Sequence, residues 1–85
     1  MGFDNYIYVG IDSIITGQKI EQLRIQQGLT VEVFCEHLGI SSTAYYKWIQ
    51  GRSLPTLDHL VVLRRMCNIS LDDIVISRED FDEER

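Results

Sequence analysis

The sequence predicts an all-α protein, a compact five-helix bundle in a single domain. Its 85 residues fall below the usual size of one domain, about 100 to 200 residues. Apolar residues make up 45% of the chain and charged residues 25%, a balance typical of folded proteins. Apolar residues recur at three- and four-residue steps between glycine, serine and threonine, as they do in helices. Two cysteines allow at most one disulfide, so we expect the core to come from helix packing.

A first helix is predicted in residues 17–27. Ile20 and Leu23 share one face of it, and strong helix formers surround them. Gly28 is suited to the left-handed conformation that often ends a helix. The run therefore reads as one amphipathic helix that stops at a glycine.

The start of this helix is open from the sequence. Asp12 or Ser13 is suited to cap an earlier start. Residues 5–11 alternate aromatic and aliphatic side chains, which fits either an extended segment or a lead-in to the helix. Both alternatives remain at this point.

Two shorter helices follow. Thr30 is a good N-cap for the segment VEVFCEHL, which ends at Gly39. Ser41 or Ser42 can cap the segment STAYYKWIQ, which Gly51 closes. These are the second and third predicted helices.

The last two helices are separated from the others by the only proline. Pro55 breaks the chain, and Thr56 then caps the segment LDHLVVLRRMC. Residues 70–73 have the spacing of a capping box, with Asp in place of Glu or Gln, for a brief fifth helix through Val75. The fourth helix carries apolar residues at successive three-residue steps: Leu57, Leu60, Leu63 and Met66.

One core is predicted among these helices. Its members are the apolar residues that fall on the inner face of each predicted helix or in the turns between them. They are Ile20, Leu23, Phe34, Leu38, Ile40, Tyr45, Trp48, Leu57, Leu60, Leu63, Ile69 and Ile74. Cys35 is expected to be a small core residue, and Cys67 a free thiol.

The second and third helices have the features of a pair that crosses at a sharp turn. Cys35 supplies a small side chain where the helices meet, and Gly39 begins the turn. Tyr45 and Trp48 face back towards the preceding helix. This combination predicts a helix-turn-helix.

Residues 17–76 resemble the Xre-like family of bacterial and phage regulators, which includes the Cro and lambda-type repressors. The segments LRIQQGLT, EHLGIS, YKWIQGRSLPTLDHL and NISLDDI carry the resemblance. It implies a lambda repressor-like DNA-binding domain in residues 17–76. Residues 1–16 would then be a short N-terminal extension, and residues 77–85 an acidic tail.

The resemblance implies that the third helix lies in the major groove of double-stranded DNA. Serine and threonine hydroxyls can donate to or accept from any base edge, lysine favours the guanine acceptors, and a tyrosine ring can contact a thymine methyl. The candidate base-reading residues are Ser42, Thr43, Tyr46 and Lys47.

Phosphate contacts are expected at both ends of the third helix. The candidates are Ser41, Gln50 and Arg52, together with backbone N–H groups at the helix start. Lys19 and Arg24 in the first helix are weaker candidates, since a charge on an amphipathic helix usually belongs to its solvated face.

Two positions depart from the family pattern. The second helix opens with Val31 where the family often has a glutamine that contacts the DNA backbone. Ile49 stands where a glutamate often pairs with the arginine of the first helix, so Arg24 is expected to lack that partner and Ile49 to be exposed.

The total charge of the chain argues against DNA binding, but the charge of residues 1–76 argues against it less strongly. The net charge is −5, whereas a basic surface is the usual feature of nucleic-acid binders. Residues 77–85 hold five acidic residues against two arginines, a net −3, which leaves −2 for residues 1–76. Most of the acidity therefore lies in the tail.

Other chemistries find little support. His37 and His59 are isolated in sequence and expected on helix surfaces, and no CxxC, HExxH or Gly-rich phosphate loop occurs. No cofactor, metal or small-molecule ligand is expected, and the protein is not predicted to be an enzyme. With no basic leader and no long apolar run, we expect a cytoplasmic protein without membrane association.

Two functions remain. The first is a sequence-specific DNA-binding transcriptional regulator, acting as a repressor. The alternative is a protein-interaction or antitoxin-like module on the same fold, with weak or no DNA binding.

A homodimer is also expected, because one recognition helix reads few base pairs. The apolar N-terminal segment, residues 3–11, is the candidate for pairing, with folding back over its own domain as the alternative.

Overall fold

The computed structural model describes residues 10–76, and this range is helical throughout its regular structure. It contains α1 (Ser13–Gln26), α2 (Val31–Leu38), α3 (Ser42–Ile49), α4 (Leu57–Cys67) and a 3-10 helix (Leu71–Asp73). The all-α prediction is confirmed for this range. None of these helices combines the length and the apolar character that crossing a bilayer requires.

The predicted fifth helix is a single 3-10 turn, so the described range holds four α-helices rather than five. Ser70 and Asp73 are paired as the capping-box spacing predicts, with the Ser70 N–H and hydroxyl both donating to Asp73 Oδ2 at 3.3 and 3.1 Å. The chain then leaves the helix because Ile74 is buried in the core and the Ile76 backbone pairs with α1. A longer helix would forfeit these contacts.

Side-chain caps fix the starts of the first three helices. Asp12 Oδ1 accepts a hydrogen bond from the Ile15 N–H at 2.9 Å, so α1 begins at Ser13 and takes in residues 13–16 as its first turn. Thr30 caps α2 as predicted. Of the two candidates for α3, Ser41 is the cap, since its hydroxyl accepts from the Ala44 N–H at 3.1 Å.

The core lies where all four helices meet. Eight of the residues predicted for the core are buried, and Cys35 joins them as predicted. The buried apolar residues are Ile20, Leu23, Phe34, Cys35, Leu38, Tyr45, Trp48, Leu63 and Ile74. Ile40, Leu60 and Ile69 are partly buried and pack against this cluster.

Leu57 does not belong to the core, and that prediction is wrong. Its side chain is 76% exposed. Leu57 is the first residue of α4, and helical side chains lean towards the N-terminus, so no preceding turn lies beneath it. The three-residue spacing that places Leu60 and Leu63 against the core therefore fails at the helix end.

The first turns of α1 hold two distant parts of the chain. The Ser13 hydroxyl donates to the Gly51 carbonyl at 2.9 Å, after the end of α3. The buried Thr16 hydroxyl accepts from the Ile76 N–H at 3.1 Å, and the Asp12 N–H donates to the Ile76 carbonyl at 2.8 Å. These bonds join the α3–α4 loop and the end of the domain to α1.

A glycine inside α1 permits the close approach of α1 to α3. A Cβ at Gly17 would lie 2.0 Å from the Trp48 carbonyl oxygen, far inside van der Waals contact. The clashing atoms belong to the backbone of α3 and cannot move as a side chain can. Gly17 is therefore required by helix packing, although glycine is otherwise a poor helix former.

Gly17→Ala is expected to lower the free energy of unfolding by about 2 kcal/mol or more, because overpacking against a backbone outweighs the better helix propensity of alanine. Urea denaturation followed by circular dichroism measures this. Gln18→Ala, on the exposed face next to it, serves as the control and should change stability by less than about 0.5 kcal/mol. Equal stability of the two variants would contradict the packing argument.

Candidate nucleic-acid interface

The third α-helix has one face in the core and the opposite face in solvent. Tyr45 and Trp48, three residues apart, are buried and fix α3 on the domain. The four predicted base-reading residues occupy the other side, and each is exposed: Ser42, Thr43, Tyr46 and Lys47. They lie at positions i, i+1, i+4 and i+5 of the helix, which places them on one continuous surface. We call this surface the α3 face.

The turn between α2 and α3 sets the direction of the α3 face. Gly39 has φ +70° and ψ +34°, a left-handed conformation that suits glycine. The Ile40 N–H donates to the Cys35 carbonyl at 3.1 Å, and the Cys35 thiol contacts the Ser41 carbonyl at 3.8 Å. Burial, reinforced by the charge of Glu32, raises the pKa of the Cys35 thiol. Cys35 is thus a protonated packing residue in the turn.

The predicted phosphate-contacting residues lie at the two ends of α3. Ser41, Gln50 and Arg52 are all exposed. Arg52 Nη1 donates to Gln50 Oε1 at 3.4 Å, a contact that places both polar groups together beyond the last turn. Because an eight-residue helix is about 12 Å long, these groups bracket the α3 face closely.

Arg24 has a different environment from the one its sequence position predicted. Its Nε and Nη2 atoms donate to the two carboxylate oxygens of Glu21 at 3.1 and 3.0 Å. Its Nη1 atom donates to the Leu29 carbonyl at 2.6 Å, and Nε also lies 3.3 Å from the Tyr45 hydroxyl. Arg24 has no partner at position 49, as expected, but Glu21 one turn earlier replaces the missing glutamate.

The same contacts remove Arg24 from the candidates for phosphate binding. Its side chain is only 15% exposed, and its donors point at Glu21, Leu29 and Tyr45. Ile49, at the position of the missing glutamate, is half-buried against the core rather than exposed as predicted. The α1–α3 junction therefore uses an ion pair within α1 and an apolar contact from α3.

Tyr45 joins this ion pair to α3. Its hydroxyl donates to Glu21 Oε1, so one carboxylate receives both Arg24 and Tyr45. Hydrogen bonds from Arg24, and then from Tyr45, hold the pKa of Glu21 below its usual 4.5. Burial and the bond to Glu21 raise the pKa of Tyr45. The sequence predicts Tyr45 in the core but not the hydrogen bonds of its hydroxyl. The available indication of this network was Glu21, the acid three residues before Arg24.

His59 is a structural residue of the α3–α4 connection. Its Nδ1 atom accepts from the Thr56 N–H at 3.3 Å, and its ring lies 5.3 Å from the Trp48 ring. His59 is partly exposed on α4, as predicted, and it also packs against Trp48. Its third position in α4 lets it take the reciprocal role that Glu or Gln fills in a capping box. His37 is exposed on α2.

The α3 face is positive although the domain is not. Residues 10–76 contain six Lys or Arg and seven Asp or Glu, a net charge of −1. Lys47 is the only formal charge between Ser41 and Gln50, and Arg52 follows shortly after. The formal charge of α3 and of the loop that follows it therefore comes from two cations, whereas the acids lie on other elements.

A short helix pair with a glycine turn and an outward polar helix defines a helix-turn-helix domain. Residues 20–74 match the helix-turn-helix family, and the chain belongs to its Xre-like, lambda-type branch.

Two curated relatives are similar to the chain over this domain. The chain is 35% identical over 65 residues to the uncharacterized HTH-type transcriptional regulator YobD of Bacillus subtilis (strain 168), covering 76% of this chain and 58% of YobD. It is 31% identical over 62 residues to the HTH-type transcriptional activator BcrR of Enterococcus faecalis, covering 73% of this chain and 30% of BcrR. The chain thus spans less than two thirds of either relative.

The fold also has counterparts among solved structures. The restriction-modification controller protein C.AhdI of Aeromonas hydrophila superimposes with a TM-score of 0.64 at 21% identity. The match covers 74% of this chain and 96% of C.AhdI. At this identity the likeness establishes a shared fold.

Glu21→Gln should make stability less dependent on acid pH. A carboxylate whose pKa is lowered on folding stabilises the protein above its unfolded pKa, and this contribution is lost as pH falls through the folded pKa. At neutral pH we expect the substitution to cost about 1 kcal/mol, a value discounted because the carboxylate is partly exposed. Below the usual pKa of 4.5, the difference from the unmodified protein should shrink.

Urea denaturation at a series of pH values measures this dependence. Glu36→Gln, which removes an exposed carboxylate from α2, is the matched control and should leave the neutral-pH stability nearly unchanged. A constant offset between the Glu21→Gln and unmodified proteins from neutral to acid pH would contradict the role of the Glu21 charge.

Proposed function

We propose that this protein is a sequence-specific DNA-binding transcriptional regulator, acting as a repressor, with α3 in the major groove. The observation that carries the proposal is the α3 face: three exposed polar or aromatic side chains and one cation, on the helix that follows the turn. In a helix-turn-helix domain the second helix of the motif is the one that enters the groove.

Each residue of the α3 face has a role consistent with its chemistry. Ser42 and Thr43, at the helix start, hydrogen-bond to base edges as donor or acceptor. Lys47 donates to guanine O6 and N7, and the ring of Tyr46, which is 49% exposed, packs on a thymine methyl. Only Lys47 carries charge, so it should contribute most to discrimination.

Backbone contacts hold the helix in register. Arg52 and Gln50 bind phosphate beyond the end of α3, and Ser41 donates its hydroxyl hydrogen to phosphate while its oxygen caps the helix. The positive end of the α3 dipole also favours an anion near Ser41, at the start of the helix. These contacts position the protein and carry no sequence information.

The names of the two curated relatives support regulation of transcription. BcrR is called an activator and YobD a regulator, so the direction of control does not follow from similarity. Repression is the simplest mode for a domain that occupies a promoter site through α3 alone. The protein is expected to act in the cytoplasm, where bacterial DNA lies.

A mobility-shift assay with the DNA upstream of the protein's own gene tests the proposal. Lys47→Ala should cost about 1 to 3 kcal/mol on the specific site and relax the preference at one base pair. Arg52→Ala should weaken binding to all sequences about equally and reduce its salt dependence. Each variant controls for the other, because both remove one exposed positive charge.

Two results would contradict this function. Specific affinity that is unchanged by Lys47→Ala would reject the assigned base reader. Absence of any shift, for a protein with the helical circular dichroism of the folded domain, would favour the alternative of a protein-interaction or antitoxin-like module. That alternative draws on Val31 at the start of α2 and on the exposed apolar residues Leu57 and Val61 of α4.

We also propose that the protein binds DNA as a homodimer on two half-sites, about 34 Å apart. The pairing segment proposed from the sequence, residues 3–11, lies almost wholly outside the described residues. Sedimentation of the full chain against a chain that begins at Asp12 measures its role. The full chain should sediment as a dimer and bind DNA more tightly; two monomers of equal DNA affinity would exclude pairing through this segment.

A further inference from the structure

A basic cleft lies at the C-terminal end of α4. It is open and has a volume of about 570 Å³. Its lining comes from the last turn of α4, from the loop that follows and from the 3-10 turn: Arg64, Arg65, Asn68, Ile69, Ser70 and Asp73. We call it the α4 cleft.

The α4 cleft is suited to a carboxylate-bearing segment. Arg64 and Arg65 are exposed, and within residues 10–76 neither forms an ion pair with an acid. The one acidic residue in the lining, Asp73, already accepts from the N–H and hydroxyl of Ser70 at the cap. Two guanidinium groups and the Asn68 amide therefore remain as donors, and guanidinium pairs with carboxylate in a two-bond geometry.

The cleft is separate from the α3 face. The N-terminal end of α4 adjoins α3, where His59 contacts Trp48. Arg65 lies six residues further along α4, about 9 Å at the rise of an α-helix. A ligand in the α4 cleft is consequently held at the C-terminal end of α4, whereas α3 adjoins the N-terminal end.

The chain itself carries an acidic segment close to this cleft. Asp73 lines the cleft, and three residues later Ile76 is held to α1 by bonds to Thr16 and Asp12. Residues 77–85 then contain Glu79, Asp80, Asp82, Glu83 and Glu84. An extended chain spans about 3.3 to 3.6 Å per residue, so Ile76 is within about 11 Å of Asp73. By the same measure, the acidic residues extend to about 28 Å beyond Ile76. The acidic segment is thus long enough to return to the cleft.

We propose that the α4 cleft is the docking site of residues 77–85 of the same chain. Carboxylates of the segment pair with Arg64 and Arg65, and the covalent link supplies an effective concentration in the millimolar range. Exposed ion pairs are individually weak and are screened by salt, with a Debye length near 8 Å at physiological ionic strength. The docked state is therefore favoured at low ionic strength and lost at high ionic strength. Docking of the segment is independent of DNA binding.

Amide NMR spectra of the full chain, without DNA, test the proposal. The first variant neutralises the segment with E79Q, D80N, D82N, E83Q and E84Q. At low ionic strength it should shift the amide signals of residues 64–73 relative to the unmodified protein, and the difference should vanish at high ionic strength. A matched control, E32Q with E36Q, removes charge from α2 and should leave these signals in place.

A second pair of variants shows whether the arginines are the partners. In an R64Q, R65Q background, neutralising the segment should cause no further shift at residues 68–73. Circular dichroism of every variant establishes that the helices are retained. Signals that move instead on α1 or α3, or do not move, would overturn the proposal. Shifts that grow with protein concentration would also overturn it, since they assign the cleft to the segment of a second copy.

Discussion

The position of α3 depends on the contact between Gly17 and the backbone of Trp48. With only a hydrogen on Gly17, α1 comes close enough for its first turns to hold Gly51 and Ile76 by side-chain hydrogen bonds. Packing and hydrogen bonding are coupled here, since a wider helix spacing would break the bonds as well as open the core. The proposed recognition surface is therefore supported by α1 through backbone packing at Gly17 and through a side-chain hydrogen bond to Gly51.

The network of Glu21, Arg24 and Tyr45 extends the same α1–α3 contact further along α1. Arg24 spans the carboxylate of α1, the Leu29 carbonyl before α2 and the hydroxyl of α3, so one side chain ties three elements. The ion pair lies within α1, where the two residues are three apart and lose little entropy on pairing. This arrangement leaves position 49 to an apolar residue that packs on the core.

Charge distribution reconciles an acidic protein with the proposed DNA binding. Long-range repulsion by the net charge is screened beyond about 8 Å in physiological salt, whereas the proposed contacts of Lys47 and Arg52 would act at contact distance. An acidic segment that is held on the α4 cleft would also be kept at the end of α4 opposite to α3. The local arrangement of charge therefore bears on function more directly than the sum of charges does.

The sequence alone determined the helices and most of the α3 face. Caps such as Thr30 and Ser41 act within three residues of the helix start, and helical periodicity places the exposed residues of α3 on the side opposite to the buried Tyr45. Only the tertiary structure decided the surroundings of Arg24 and Leu57. The Tyr45 hydroxyl reaches Arg24 across 21 residues of sequence, and Leu57 is exposed because no neighbouring element covers the end of its helix. Local patterns encode local hydrogen bonds, whereas contacts between distant segments depend on how closely the helices pack.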